Sequence, residues 1–114
     1  MNLEKSLEIS RLNDFYGKLL TKKQQDIMIE YYYNNMSLSE IAENFNVTRQ
    51  AVLDSLKKSE KQLKNFEDTL GLVSKYDELK GHIDSLITKN KEGHLTKKEL
   101  ETELIALLNI WEGS

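Results

Sequence analysis

Oxygen-bearing side chains stand at the spacing of calcium ligands in the segment TKNKEGHLTKKE, which runs from Thr88 to Glu99. An EF-hand calcium loop has a carboxylate at its first position, glycine at its sixth and a bidentate glutamate at its twelfth. Gly93 and Glu99 meet the last two requirements, but Thr88 holds the first position and two lysines add positive charge. We therefore expect no calcium site and interpret the segment as a joint between two helices, the second of them capped by Thr96.

Catalytic and metal-ligating side chains are otherwise scattered along the chain. The sequence has no cysteine, and His82 and His94 have no second His or Cys at ligand spacing. It also lacks a serine–histidine–aspartate set and a glycine-rich phosphate loop, two patterns that mark active sites. We therefore expect a protein that is not an enzyme, with no catalytic residues, no metal ligands and no cofactor.

Side chains suited to nucleic acid lie at helical spacing in the segment LSEIAENFNVTRQAVLDSLKK, from Leu38 to Lys58. Arginine can bind guanine and glutamine can bind adenine through paired hydrogen bonds, while lysines bind phosphates in a salt-dependent manner. If this segment contains the second helix of a DNA-binding helix-turn-helix, that helix would offer its exposed face to nucleic acid. The candidate contact residues are then Thr48, Arg49, Gln50, Leu53, Asp54, Lys57, Lys58, Lys61 and Lys64.

Two residues of that set, Leu53 and Asp54, do not suit a groove lined by phosphates. The carboxylate of Asp54 would repel phosphates unless it accepts a hydrogen bond from a cytosine amino group. Leu53 could contact a thymine methyl group, but an exposed leucine is more typical of a protein interface. The residues alone leave three hypotheses for the ligand: a specific DNA sequence, an RNA or RNA–protein complex, or a protein surface.

The element that must position these side chains is a helix-turn-helix. Ala42 is small enough for a second helix to cross close above it, and Asn46 tolerates the positive φ that the turn requires. Val47 and Val52 can fill the angle between the two helices, and Thr48 stands at the N-cap of the second. We therefore predict a short helix, a turn at NFNV and a recognition helix.

Apolar residues recur at helical spacing along the rest of the chain, and no proline interrupts them. Capping boxes at Thr21 and Ser37 mark the starts of the second and third helices. We predict an all-α fold of five or six helices, the others spanning about residues 3–20, 72–87 and 96–111. The recognition helix should bury a stripe made of Val52, Leu56, Ser59 and Leu63.

Charge divides the chain into two predicted regions. The net charge is −3, but residues 1–66 carry ten Lys or Arg against nine Asp or Glu, whereas residues 67–114 carry six against ten. An acidic region is unsuited to phosphate. We therefore predict a helix-turn-helix head at residues 1–66 and an acidic helical tail at residues 67–114.

The last helix of the tail carries an apolar stripe that needs a partner. The stripe consists of Leu100, Leu104, Leu107, Leu108 and Trp111. It must be buried either against residues 72–87 or against a second copy of the chain. Because a three-helix head fills its own core, we expect a homo-oligomer formed through the C-terminal helices.

Targeting segments are not evident in the sequence. No apolar run reaches the ~20 residues that cross a bilayer, and the opening MNLEKSLEIS lacks the apolar core of a signal peptide. We expect a cytoplasmic protein with no membrane span.

Several blocks of the sequence resemble known families. The segment LTKKQQDIMIEYYYNNMSLSEIAENFNVTRQAVLDSLKKSEKQLKNFE, Leu20 to Glu67, resembles the fourth conserved region of bacterial sigma factors. There a leucine-threonine start, a helix, an S-x-x-E-I-A helix and a recognition helix follow in this order. The blocks EISRLNDFYGKLLTKKQQ and YYYNNMSLSEIAENFNVTRQAV are more closely similar to the YlxM family of small Gram-positive bacterial proteins. That likeness covers about Leu3 to Leu108.

The resemblance to the YlxM family implies a regulatory helix-turn-helix protein of the signal recognition particle pathway, whose gene commonly neighbours that of the particle's GTPase. It implies this GTPase or the particle's RNA as partners. The expected function is therefore non-enzymatic regulation, through binding of nucleic acid or of components of the particle. A sequence-specific, DNA-binding transcription regulator is the alternative.

Overall fold

Helices joined by short turns make up the structure. A computed structural model of the protein describes residues 3–113, and these residues contain six α-helices and no strand. The predicted all-α class and the number of helices are therefore confirmed. The α-helices span Leu3–Tyr16 (α1), Lys22–Met28 (α2), Leu38–Phe45 (α3), Arg49–Leu70 (α4), Leu72–Lys91 (α5) and Lys97–Glu112 (α6).

Reciprocal side-chain caps begin three of these helices. Thr21, Ser37 and Thr96 each accept a hydrogen bond from the backbone N–H three residues further on. The glutamine or glutamate at that position accepts one in return from the backbone N–H of the cap. These bonds satisfy N–H groups that have no partner inside the helix. The predicted capping boxes are thus present, and they fix where α2, α3 and α6 start.

The first two helices depart from a regular α-helix at their C-terminal ends. The first helix was expected to reach Leu20, but α1 ends at Tyr16 and a 3₁₀ turn follows at Gly17–Leu19. Helix α2 continues as a π-helical segment, Ile29–Tyr33, in which the N–H of Asn34 donates to the carbonyl of Ile29 at 3.0 Å. A π-turn adds one residue to the helical repeat, and apolar spacing along a sequence does not reveal it.

The core of the first compact unit, the described residues up to Leu70, surrounds α4. Helix α4 packs against α1, α2 and α3. Leu3 and Leu7 of α1 are apolar, yet they are 73% and 62% exposed. They lie on the opposite side of α1 from its buried residues. The buried apolar side chains are Ile9, Leu12, Tyr16, Leu20, Ile27, Met28, Ile41, Ala42, Val52, Leu56 and Leu63.

The second compact unit, the described residues from Gly71 onward, is a pair of helices. Helices α5 and α6 pack on each other, and Lys75 near the start of α5 donates to the carbonyl of Trp111 near the end of α6 at 3.2 Å. His82 lies 3.7 Å from a carboxylate oxygen of Glu103. The predicted head–tail boundary at residues 66 and 67 lies inside α4, because that helix has no stop before Gly71.

The segment from Thr88 to Glu99 has the geometry of a helix joint. Its first four residues belong to α5, and the hydroxyl of Thr88 donates to the carbonyl of Asp84 at 3.1 Å. Glu99 belongs to the capping box of α6. No cluster of three or more His, Asp or Glu among the described residues is placed to hold a metal ion. Within the same residues, no helix is both long and apolar enough to span a membrane.

Candidate nucleic-acid interface

The turn between α3 and α4 sets the crossing of these two helices. Asn46 ends α3 in the left-handed conformation, with φ 54° and ψ 46°. The backbone N–H of Val47 donates to the carbonyl of Ala42 at 3.0 Å, which closes the turn. Ala42 is buried, and Val52 of α4 is fully buried. The positive φ predicted for Asn46 and the burial predicted for Ala42 and Val52 are confirmed. The tight turn therefore joins two closely packed helices, as the sequence predicted.

Thr48 begins the recognition helix. Its side-chain oxygen accepts a hydrogen bond from the backbone N–H of Ala51 at 3.0 Å. This cap satisfies one N–H of the first turn of α4 and places Arg49 and Gln50 at the exposed start of the helix. The hydroxyl of Thr48 keeps its own proton, so it can still donate to a phosphate.

A buried polar cluster fixes the rotation of α4 about its axis. The side-chain nitrogen of Gln24 donates to the hydroxyl of Ser59 at 3.0 Å and to the side-chain oxygen of Gln62 at 2.7 Å. The side-chain oxygen of Gln24 accepts from the backbone N–H of Thr21 at 3.0 Å. A buried amide is costly unless it is hydrogen-bonded, so α4 must keep Ser59 turned inward. The predicted stripe of Val52, Leu56, Ser59 and Leu63 is buried as expected.

The predicted contact residues lie mostly on the side of α4 opposite this stripe. Gln50, Asp54, Lys57 and Lys61 are spaced by four, three and four residues, so they share one outward face. Of the nine predicted residues, Thr48, Arg49, Gln50, Asp54, Lys57, Lys58, Lys61 and Lys64 are exposed. Leu53 differs, because it is half-buried at the edge of the packed face. It is therefore a weaker candidate for an exposed contact than the sequence suggested.

Asp54 has a specific partner on this face. The side-chain nitrogen of Gln50 donates to a carboxylate oxygen of Asp54 at 2.8 Å, across one turn of α4. A carboxylate can only accept hydrogen bonds, so the contact turns the NH₂ group of Gln50 toward Asp54. The residue that least suits a phosphate-lined groove thus orients a side chain of a type that can bind a base.

The charge of the outward face is basic around this pair. Lys57, Lys58, Lys61 and Lys64 form no salt bridge with any other residue that the structure describes. The one further acidic residue between them, Glu60, is turned toward the packed side of α4. It lies 3.3 Å from the ammonium group of Lys5 and accepts from the hydroxyl of Tyr32 at 2.9 Å. Burial, together with this bond to Glu60, raises the pKa of Tyr32.

A shallow groove of about 420 Å³ lies beside the face, between the start of α2 and α4. Sequence reasoning missed part of its lining, namely Ala51 and Ser55 on α4. These two residues are four apart and small, which was the available signal for a depression next to Asp54 and Lys58. The groove is lined by Thr21, Gln24, Ala51, Asp54, Ser55 and Lys58.

These elements define the class of protein. A capped helix, a left-handed turn and a longer helix with an exposed basic face form a helix-turn-helix, a motif that many DNA-binding proteins use. The family described as "Putative helix-turn-helix protein, YlxM / p13 like", UPF0122, matches residues 3–105. The chain belongs to this family, which confirms the resemblance to YlxM drawn from the sequence.

Relatives of known sequence agree with this assignment. The UPF0122 protein YlxM of Bacillus subtilis (strain 168) is 42% identical over 112 residues, which cover 98% of this chain and 97% of the relative. A UPF0122 protein of Exiguobacterium sibiricum is 43% identical over 103 residues, covering 89% and 97%. A UPF0122 protein of Desulforamulus reducens is 55% identical over 71 residues, covering 62% of this chain and 61% of that relative. The resemblance of the segment from Leu20 to Glu67 to sigma factor region four stays a prediction.

Proposed function

We propose that the protein is a non-enzymatic regulatory protein that binds nucleic acid through the outward face of α4. The observation that carries this proposal is the row of Lys57, Lys58, Lys61 and Lys64. All four side chains are exposed, and none is held by a salt bridge to another described residue. Lysines that are free of acidic partners can replace counterions along a phosphate backbone.

Double-stranded DNA is the ligand that this geometry favours. In a helix-turn-helix, the first residues of the second helix contact base edges in the major groove. Arg49 and Gln50, whose side chains can each bind a purine through paired hydrogen bonds, occupy that position in α4. The major groove of duplex RNA is too deep and narrow for side chains to reach its bases. The regulator is therefore proposed to bind DNA with sequence preference.

The signal recognition particle pathway is the second setting, and the resemblance to the YlxM family supports it. In that setting the lysines of α4 would bind the backbone of the particle's RNA, or the face would contact the particle's GTPase. Leu53, half-buried beside the basic face, offers the small apolar contact that a protein partner would use.

We also propose that the second unit joins copies of the chain. In this proposal the predicted head binds nucleic acid and the predicted tail forms the oligomer. Neither α5 nor α6 contains a buried residue. Leu104, Leu108 and Trp111 of the predicted stripe are 53%, 54% and 57% exposed, and Leu107 is half-buried. An apolar stripe left open on one hairpin can be covered by the same stripe of a second hairpin, which gives a closed, two-fold contact.

One cross-linking experiment tests the binding proposal and separates the two settings. The protein is cross-linked in cells and immunoprecipitated, and the DNA, RNA and proteins recovered with it are identified. The Lys57→Glu, Lys61→Glu variant, expressed at the same level, provides the background. Enrichment of discrete DNA sites supports the DNA-binding regulator, and enrichment of the particle's RNA or GTPase supports the second setting. Recovery of no nucleic acid above the background of the variant would overturn the proposal.

A further inference from the structure

The start of α4 contains a pair of polar side chains held in one arrangement. Gln50 and Asp54 are both exposed, and the nitrogen of the Gln50 amide lies 2.8 Å from a carboxylate oxygen of Asp54. Neither side chain has another hydrogen-bond partner within the described part of the chain. The hydrogen bond between the two side chains therefore holds the pair, and both side chains remain accessible to a ligand.

The chemistry of the contact determines which groups of Gln50 remain available. An amide can rotate by 180° and present either its oxygen or its nitrogen, but a carboxylate accepts only from the nitrogen. The NH₂ group therefore faces Asp54 with one of its two hydrogens. If the hydrogen that bonds Asp54 is the one trans to the amide oxygen, the oxygen and the N–H cis to it stay free, side by side and in a fixed order.

We propose that Gln50 recognises a single adenine in the major groove of duplex DNA, and that Asp54 is the positioning residue that orients its amide. This inference rests on the proposed DNA-binding function. Adenine presents a donor, its N6 amino group, next to an acceptor, N7. The free amide oxygen and N–H of Gln50 match that order.

The other bases match the oriented amide less well. Guanine presents two acceptors, O6 and N7, so the amide oxygen of Gln50 would face a second oxygen without a proton between them. Thymine presents one acceptor and a methyl group, and cytosine presents a single amino donor. Each of them satisfies one of the two free groups at most. The pair therefore selects an A·T base pair.

The position of Asp54 explains why a carboxylate occurs on a basic face. Asp54 follows Gln50 by four residues, so the two side chains are neighbours on adjacent turns of α4. Asp54 adds a negative charge near the DNA, which weakens binding to every sequence alike. In exchange it removes the rotational freedom of the Gln50 amide, which strengthens only the match to adenine. Asp54 thus lowers general affinity and raises sequence preference.

Selection from a random DNA pool tests this inference. The full-length protein is incubated with duplexes that contain a randomised core, and the bound duplexes are sequenced. We expect one position with a preference for adenine of about 5- to 150-fold, the range of a paired hydrogen-bond contact. Gln50→Ala should abolish the preference at that position only.

The role of Asp54 needs a matched control, which Asp68 provides. Asp68 is an exposed aspartate of the same helix, more than three turns from Gln50. Asp54→Ala and Asp68→Ala remove the same charge, so both should bind random DNA more tightly than the wild type. Only Asp54→Ala should reduce the adenine preference to below about 3-fold, and Asp54→Glu, which can still accept from Gln50, should restore most of it.

The possible outcomes separate this inference from the function on which it rests. Salt-dependent binding to the pool with no preference at any position, or with a cytosine preference that requires Asp54, would overturn the inference and leave DNA binding intact. An adenine preference unchanged in Asp54→Ala would overturn the positioning role. Binding to an equivalent RNA pool but not to duplex DNA would overturn the DNA-binding function itself, and the inference with it.

Discussion

Gln24 and Ser59 meet inside the first unit, where the side-chain nitrogen of Gln24 donates to the Ser59 hydroxyl at 3.0 Å. The two residues are 35 positions apart in the sequence. Gln24 also belongs to the capping box that starts α2, and Ser59 lies midway along the buried stripe of α4. One side chain therefore both begins one helix and fixes which face of another points outward.

Removal of the Ser59 hydroxyl should destabilise the first unit. In Ser59→Ala, one buried N–H of Gln24 loses its acceptor, so we expect the free energy of unfolding to fall by about 1–3 kcal/mol. Urea denaturation followed by circular dichroism measures this. Ser55→Ala, the same change on a residue of α4 without a hydrogen bond among the described residues, should have a much smaller effect. Equal stability of the two variants would show that the Gln24–Ser59 contact does not hold α4.

The sequence predicted the position of Ser59 but not its partner. The spacing of Val52, Leu56 and Leu63 placed a serine on the buried side of α4, since a stripe at intervals of three and four has one inward direction. Nothing in that spacing says which polar group lies opposite. The contact depends on how α2 and α4 pack, which is a property of the tertiary structure.

The backbone conformation of Asn46 could be predicted from the sequence because it depends only on the local turn. Its φ of 54° lies in the left-handed region, which asparagine tolerates and a β-branched residue does not. We expect Asn46→Val to lower the free energy of unfolding by about 1–2 kcal/mol. Asn46→Gly, which adopts this φ without strain, should change it by less than about 0.5 kcal/mol. Urea midpoints of the two variants test this, and a stable valine variant would contradict the role given to the turn.

Charge reversal on the outward face of α4 should abolish nucleic-acid binding. Lys57→Glu together with Lys61→Glu replaces two phosphate contacts by two repulsive charges. We expect the dissociation constant for duplex DNA to rise by more than about tenfold, and the slope of log affinity against log salt to become shallower by about 2. Fluorescence anisotropy at several salt concentrations measures both quantities.

A matched charge change elsewhere provides the control for that prediction. Lys97→Glu with Lys98→Glu makes the same change in net charge at the start of α6, where negative charge is tolerated by the helix dipole. This variant should bind DNA nearly as well as the wild type. If both double variants lose affinity equally, the effect comes from net charge rather than from the face of α4.

The candidate site was less predictable than the turn, and Asp54 shows why. Residue type alone marked it as unsuited to a phosphate-lined groove, since a carboxylate repels phosphates. The hydrogen bond from Gln50 depends on side-chain conformation, although the spacing of four residues made it available. The burial of Leu53 was equally hard to predict, because a residue at the edge of a buried stripe can be exposed or half-buried depending on the neighbouring helix.

The second unit is expected to form oligomers through the exposed stripe of α6. Leu104 and Leu108 are the residues to change, because they are exposed, whereas Leu107 is half-buried and its replacement would also disturb the hairpin. Burial of each large side chain against a second copy contributes about 1.5–3 kcal/mol. Leu104→Glu with Leu108→Glu removes that contribution and places charges in the contact. We expect this double variant to sediment as a monomer while its helical circular dichroism is retained.

The control adds the same two charges to α6 outside the stripe. Thr102 and Asn109 are exposed polar residues of that helix, so Thr102→Glu with Asn109→Glu should leave the oligomer intact. Sedimentation equilibrium at tens of micromolar measures all three proteins. A wild-type protein that is monomeric at that concentration would exclude oligomerisation through α6. If the wild type and the control are oligomers and only the Leu104, Leu108 variant is a monomer, the contact lies on the stripe.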